Sequence, residues 1–136
     1  MPYTGGYPSG DLKTVRARYD FAVDGGAAGD IDLTKSAVIP AGAVILGGFI
    51  EVDTPPTSGG SATVALKVEG AGDILAAASI GGAPWSTTGR KSVIPVFTGA
   101  TSVKTTTARK VQATVATAAL TAGAFDVVLV YVPMPD

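Results

Sequence analysis

"AVIPAGAVILGGFIEV", residues 37–52, runs through small and apolar side chains for fourteen positions before its first charge, Glu51. From residue 43 the run alternates, with Val44, Leu46, Ile50 and Val52 on one side and Ile45 and Phe49 on the other. That period of two is the signature of a strand, here covered on both faces through its first half. Gly47 and Gly48 sit in its middle and predict a bulge or a close backbone approach. The run contains no acid, base or nucleophile until Glu51. It therefore reads as a buried strand, with one face in a core and Ile45 and Phe49 available to a neighbouring subunit.

Working outward, the same grammar recurs. "KTVRARYDFAV" (13–23) alternates, with Val15, Ala17, Tyr19, Phe21 and Val23 facing one way. "DGGAAGD" (24–30) reads as a turn and "IDL" (31–33) as the start of a short strand. "TPPTSGG" (54–60) reads as a loop, and "SATVALKVEG" (61–70) places Ala62, Val64, Leu66 and Val68 inward. Residues 43–53 and 61–69 are thus expected to form a hairpin. "DILAAASI" (73–80) fits a strand better than a helical turn. "KSVIPVF" (91–97) and residues 101–120 supply further strand segments. "TAG" (121–123) is expected to turn the chain into a last strand, "AFDVVLVYV" (124–132). The whole predicts an all-β fold, an antiparallel β-sandwich or jelly-roll-like single domain over 13–136. Before it, residues 1–12 form an extended N-terminal arm carrying Tyr3 and Tyr7 among prolines and glycines.

Composition narrows the chemistry. The 136 residues hold no cysteine and no histidine, which removes disulfides, thiolate metal sites and the commonest neutral-pH base. No cofactor is expected. Ten basic against eleven acidic residues leave a net charge of −1, so neither nucleic acid nor an anionic membrane is an expected partner. A membrane-spanning helix needs about 20 apolar residues, whereas the uncharged stretch Ser36–Ile50 has only 15. The start lacks the basic and apolar regions of a secretory signal, which predicts synthesis in a cytoplasm. Only 15% of the residues are charged and mean hydropathy is +0.38, so other protein chains are expected to cover part of the surface.

The candidate sites each have a plainer reading beside them. Asp24, Asp30 and Asp32 cluster near glycines without calcium-loop spacing, and Asp-Gly-Gly is ordinary turn chemistry. Glu51 and Asp53 share a strand face, as a glycosidase pair would, yet they stand at an exposed strand end. Trp85, in "GGAPWSTTGR", is read as a core or interface anchor before a sugar platform, because the chain has one glutamine, Gln112, and no asparagine. Arg16 with Arg18, Arg90–Lys91 and Arg109–Lys110 are read as solvated faces or bridges to a partner protein.

The order "VIPAGAVILGGFIEVDTPPTSGGSATVALKVEGAGDILAAASI" (38–80), then "ARKVQATVATAALTAGAFDVVLVYV" (108–132), resembles small virion proteins of tailed bacteriophages, in particular capsid decoration (head-stabilising) proteins. Ala124 stands where that pattern carries a lysine, and the arm has no counterpart in it. The resemblance implies a non-enzymatic structural protein on the capsid exterior, with the major capsid protein as partner. The rival expectations are a head-fibre or tail component and a carbohydrate- or receptor-binding module. The surplus of apolar residues over what one core can hide adds self-association, as a homotrimer. Tyr3, Tyr7, Trp85, Ile45 and Phe49 are the expected partner-contact residues, with the arm lying across a neighbouring subunit or the capsid surface.

Overall fold

The computed structural model describes residues 12–134, so the predicted arm with Tyr3 and Tyr7 lies outside the described residues except for Leu12. The fold is an all-β sandwich of two antiparallel sheets. Its elements are β1 (Lys13–Asp20), a single helical turn α1 (Phe21–Asp24), β2 (Gly29–Asp32), β3 (Ala43–Ser58), β4 (Thr63–Lys67), β5 (Leu75–Ser79), β6 (Gly89–Ser92), β7 (Val103–Lys104), β8 (Gln112–Ala116) and β9 (Leu120–Pro133). One sheet has the order β1-β9-β3, with β6 and β7 both on the far edge of β3; the other has the order β2-β8-β4-β5.

The two longest strands, β3 and β9, form the spine of the five-stranded sheet, paired from Ala43↔Pro133 to Ser58↔Leu120. This overturns the expected hairpin between 43–53 and 61–69. β3 and β4 lie in different sheets, and the chain uses 59–62 to cross between them. "TPPTS" is not loop but the end of β3. Its two prolines fall among register shifts, where the ladder has slackened and an absent N–H costs little. "TAG" likewise lies inside β9. The reversal falls just before it, where Thr117 adopts φ 74° and Ala118 N–H donates to Ala116 O at 2.9 Å.

β1 ends at Asp20 rather than running on through Val23. The Asp20 carboxylate accepts from Ala22 N at 3.0 Å and caps the turn Phe21–Asp24, so Val23 points to solvent. The bulge expected at Gly47–Gly48 is present, as a register shift between Ile45 and Gly47. It reverses the facing of the strand's first half. Ala43 and Ile45 go into the core together with Ile50 and Val52, while Val44 and Leu46 face out. Ile45, expected at a subunit contact, is fully enclosed. Residues 75–79 are strand, as expected, and the inward set Ala62, Val64, Leu66 and Val68 is buried.

Between the sheets, Trp85 is the largest fully buried side chain. Its ring lies 4.8 Å from that of Phe125 on β9, which in turn stacks on Tyr19 of β1 at 5.1 Å. Its Nε1–H donates to the Val64 carbonyl on β4 at 3.1 Å. One side chain from the 81–88 loop thereby holds an apolar contact to one sheet and a polar contact to the other. Trp85→Ala should cost about 3–5 kcal/mol. Trp85→Phe should cost about 1–3 kcal/mol, chiefly by stranding the carbonyl. Urea unfolding midpoints check both, and losses below about 1 kcal/mol for the alanine variant would show that the sheets cohere without this contact.

Tyr19 donates its hydroxyl to Gly25 O at 2.7 Å. Burial, then the charges of Asp24 and Asp20, push its pKa up to about 12. In the unfolded chain the phenol ionises near 10. The native state therefore holds more protons between those values, and stability complete below pH 10 is lost as pH rises from about 10 to about 12. The loss is on the order of 2 kcal/mol. Tyr19→Phe should flatten this part of the stability–pH curve, read as the difference between the two proteins' unfolding temperatures across that range.

Candidate interaction surface

Most of the charged groups singled out in the sequence are engaged within the chain. Asp24 accepts from Asp20 N at 3.1 Å and Thr34 N at 3.0 Å, which makes it a turn fastener. Asp30 accepts from Thr114 Oγ1 at 2.7 Å and lies 3.4 Å from Lys67 Nζ, and Asp32 accepts from Gln112. The threonine bond leads in lowering the Asp30 pKa; desolvation opposes it, and the Lys67 charge adds to the lowering. Among the described residues, no group of acidic side chains is arranged to hold a metal ion.

Glu51 and Asp53 share a face, as read, but each meets an arginine: Arg90 Nε to Glu51 Oε1 at 3.1 Å, Arg18 Nη1 to Asp53 Oδ2 at 2.6 Å. Arg18 also lies 3.0 Å from Asp126 Oδ2, and the bond to Asp53 leads in raising the Arg18 pKa further. Arg109 forms a two-point pair with Glu69 at 3.1 and 3.2 Å. Bonds from Thr106, then that arginine, lower the Glu69 pKa. The basic residues expected to bridge to a partner are thus largely spent on partners of their own chain.

The outer face of the five-stranded sheet is different. An antiparallel sheet with one solvated face alternates apolar-in, polar-out. Here β9 turns Val128, Val130 and Val132 outward, and β3 turns Val44, Leu46 and Phe49 outward, all half-buried. The residues rank across the sheet by register. Val132 lies beside Val44, Val130 beside Gly47, Val128 between Arg16 and Phe49, and Asp126 between Arg18 and Glu51. Polarity rises along these ranks, from an apolar end near the start of β1 to a charged end near its finish.

At the rim of the apolar end, β6 and β7 pair with separate stretches of the same edge of β3, and the chain between them stands out as a loop, 93–102. The loop presents Ile94, Val96 and Phe97, with Phe97 60% exposed. Phe97 adopts φ 63°, a left-handed conformation that a bulky side chain takes only at a cost. Its N–H donates to Leu46 O in the bulge, and its ring lies over Gly47, where an added Cβ would collide with it. Phe49, beside it, carries the Arg90 guanidinium 5.3 Å above its ring centre. Strained backbone, a glycine seat and an exposed aromatic together describe a side chain held outward in advance of contact.

Of the expected contact residues, Phe49 is on this face. Ile45 and Trp85 are enclosed in the chain's own core and present nothing to a partner, which removes Trp85 as a sugar platform. Tyr3 and Tyr7 lie outside the described residues. Sequence reading missed Phe97. Its only signal was "VIPVF", three exposed apolar residues around a proline, which reads equally well as a core strand.

No known family model and no curated protein matches the chain. Solved structures do. A chain of the Cyanophage Pam1 capsid asymmetric unit superposes with TM-score 0.62 at 20% identity, over 99% of this chain and 93% of that one. A chain of the capsid of Ralstonia phage GP4 gives 0.58 at 21%, over 100% and 92%. A chain of the acidic stable capsid of Helicobacter pylori bacteriophage KHP30 gives 0.58 at 15%, over 89% and 86%. At these identities the likeness is one of fold.

Because asparagine tolerates the left-handed region, Phe97→Asn should relieve strain of about 1–3 kcal/mol while losing part of the ring's packing on Gly47. The expected unfolding temperature is within a few degrees of the parent's. A drop of more than about 10 degrees would make Phe97 a structural residue rather than a displayed one.

Proposed function

We propose that this chain is a non-enzymatic structural protein of a phage virion, which decorates the capsid exterior by binding the shell of major capsid protein, as a homotrimer. The observation that carries this reading is the pre-set apolar tip around Phe97, at the rim of a sheet whose outer face is apolar where water would demand polar side chains. A displayed aromatic on an already ordered loop loses little entropy on binding, which suits a contact repeated at every site of a shell. The fold shared with chains of three phage capsids supports the same reading.

The chain's electrostatics fit this role. Five of its ten basic residues are paired with carboxylates of the same chain and the net charge is −1, so attachment rests on shape and apolar contact rather than on long-range steering. A threefold oligomer would present three such tips together, and simultaneous engagement multiplies affinity without new contacts.

The test uses empty heads of the encoding phage. Purified protein should bind them to a fixed stoichiometry, and Phe97→Asn with Val96→Ser should weaken binding at least tenfold while leaving the fold intact. Native mass spectrometry should report a trimer, free or on release from heads. Absence of saturable binding by the parent protein would reject decoration, and undiminished binding by the double variant would place the contact elsewhere.

A further inference from the structure

The outer face of the five-stranded sheet holds a cleft of about 250 Å³ between β1, β9 and β3, lined by Arg16, Phe49, Glu51, Asp126 and Val128. The register builds it from two ranks. Arg16, Val128 and Phe49 lie side by side in one, and Arg18, Asp126 and Glu51 in the next. The ranks stand about 7 Å apart along the strands, close to the length of a tyrosine side chain beyond its Cβ. The first rank gives the cleft an apolar floor, and the second gives it a wall of carboxylates.

Asp126 is only 8% exposed. Its Oδ2 is held by Arg18 at 3.0 Å. Its Oδ1 is enclosed and receives no hydrogen bond from the described residues. Arg16 Nη2 stands over it at 3.3 Å, close enough for attraction but not aligned to donate. An enclosed carboxylate oxygen without a donor is costly, so the site favours an occupant that supplies one. The Arg16 side chain is 71% exposed, and a pair this open to solvent contributes little, so it can swing aside.

Charge selects the kind of donor. Around the two ranks, Asp53, Asp126 and Glu51 are matched by Arg16, Arg18 and Arg90. An ammonium entering the cleft adds a charge among these guanidinium groups, and a carboxylate faces Asp126 and Glu51. A neutral donor on a flat apolar body meets neither penalty. A phenol fits: its ring covers Val128 and Phe49, its hydroxyl donates to Asp126 Oδ1, and the displaced Arg16 lies over the ring.

We propose that this cleft binds a neutral phenol, and that the group filling it is a tyrosine side chain displayed by the capsid shell. The source rests on the attachment proposed above; the chemistry of the cleft does not. The Phe97 ring lies over Gly47, and Phe49 is two residues further along β3, so a partner covering the tip reaches the cleft on the same face. The tip offers an aromatic ring and the cleft receives one, which fixes a register that an apolar patch alone would not.

Para-cresol, the tyrosine side chain as a free molecule, tests the chemistry on the full chain without substitution. Val128 methyl and Phe49 ring resonances should shift saturably, with a dissociation constant on the order of millimolar. Para-methylanisole, in which a methyl group replaces the donated proton, should bind at least about fivefold more weakly, and so should the cation para-methylbenzylamine. Absence of saturation by para-cresol would overturn the site. Equal binding of the anisole would overturn the bond to Asp126, and tighter binding of the amine would overturn the choice of a neutral donor. For the source, Val128→Lys fills the cleft and should weaken binding to empty heads at least about tenfold, with the thermal transition retained. Saturating para-cresol should weaken head binding by the unsubstituted protein as well, which covers a variant that fails to fold. Undiminished binding in both cases would overturn the shell as source of the tyrosine. Heads that do not bind the parent protein would reject attachment itself, and the para-cresol titration would still decide the cleft.

Discussion

The register break at Gly47–Gly48 is the constraint on which the rest of the molecule depends. Gly48 adopts φ 153°, and its α-carbon lies so close to Val128 O and the Leu129 backbone that a Cβ has no room. The extra residue flips the side-chain parity of β3. Both halves of a 16-residue strand can then send apolar residues into one core. The same flip leaves Leu46 and Phe49 outside and opens the floor on which the Phe97 ring rests. Core, outer face and displayed tip are three results of one backbone irregularity.

Around that break, the division of labour between charge and apolar surface is spatial. Ion pairs gather at one end of the outer face, where Arg18 bridges Asp53 and Asp126, and around the Arg109–Glu69 pair. Most of these groups are partly exposed, so each pair contributes little to stability on its own. Their larger effect is to cancel charge locally. Towards the other end of the face the central positions on β3 and β9 are apolar, with Lys104 at the β7 edge beside Val44.

Much of this was legible in the sequence, and the misses share a cause. Alternation identified β1 and β4 with most of their inward residues and placed strand over β8 and β9, because a period of two survives without knowledge of the partner strand. The glycine pair announced the bulge. What alternation cannot carry is pairing. The 43–53 and 61–69 segments look like a hairpin by proximity, but the sandwich places them in different sheets, and "TPPTS" looks like a loop because prolines are rare in ladders. The facing of Ile45 was reversed for a related reason: a bulge changes parity, and the sequence does not say on which side of it. Trp85 was readable as an anchor but not as one between sheets of its own chain. Phe97 was invisible, since its meaning lies in a backbone angle and in the glycine beneath it.

The loop carrying Phe97 is fastened at both ends to one edge of one strand, by β6 at Phe49–Val52 and by β7 at Val44–Ile45. A force applied at its tip is therefore divided between two attachments and passed into β3, and from there into the long ladder with β9. Such a mounting resists being unzipped from a single end, because neither attachment is loaded alone. In mechanical terms the tip behaves as a bracket with two bolts on a rigid beam. A surface aromatic mounted this way can be pushed or pulled repeatedly without the loop becoming the first part of the molecule to yield.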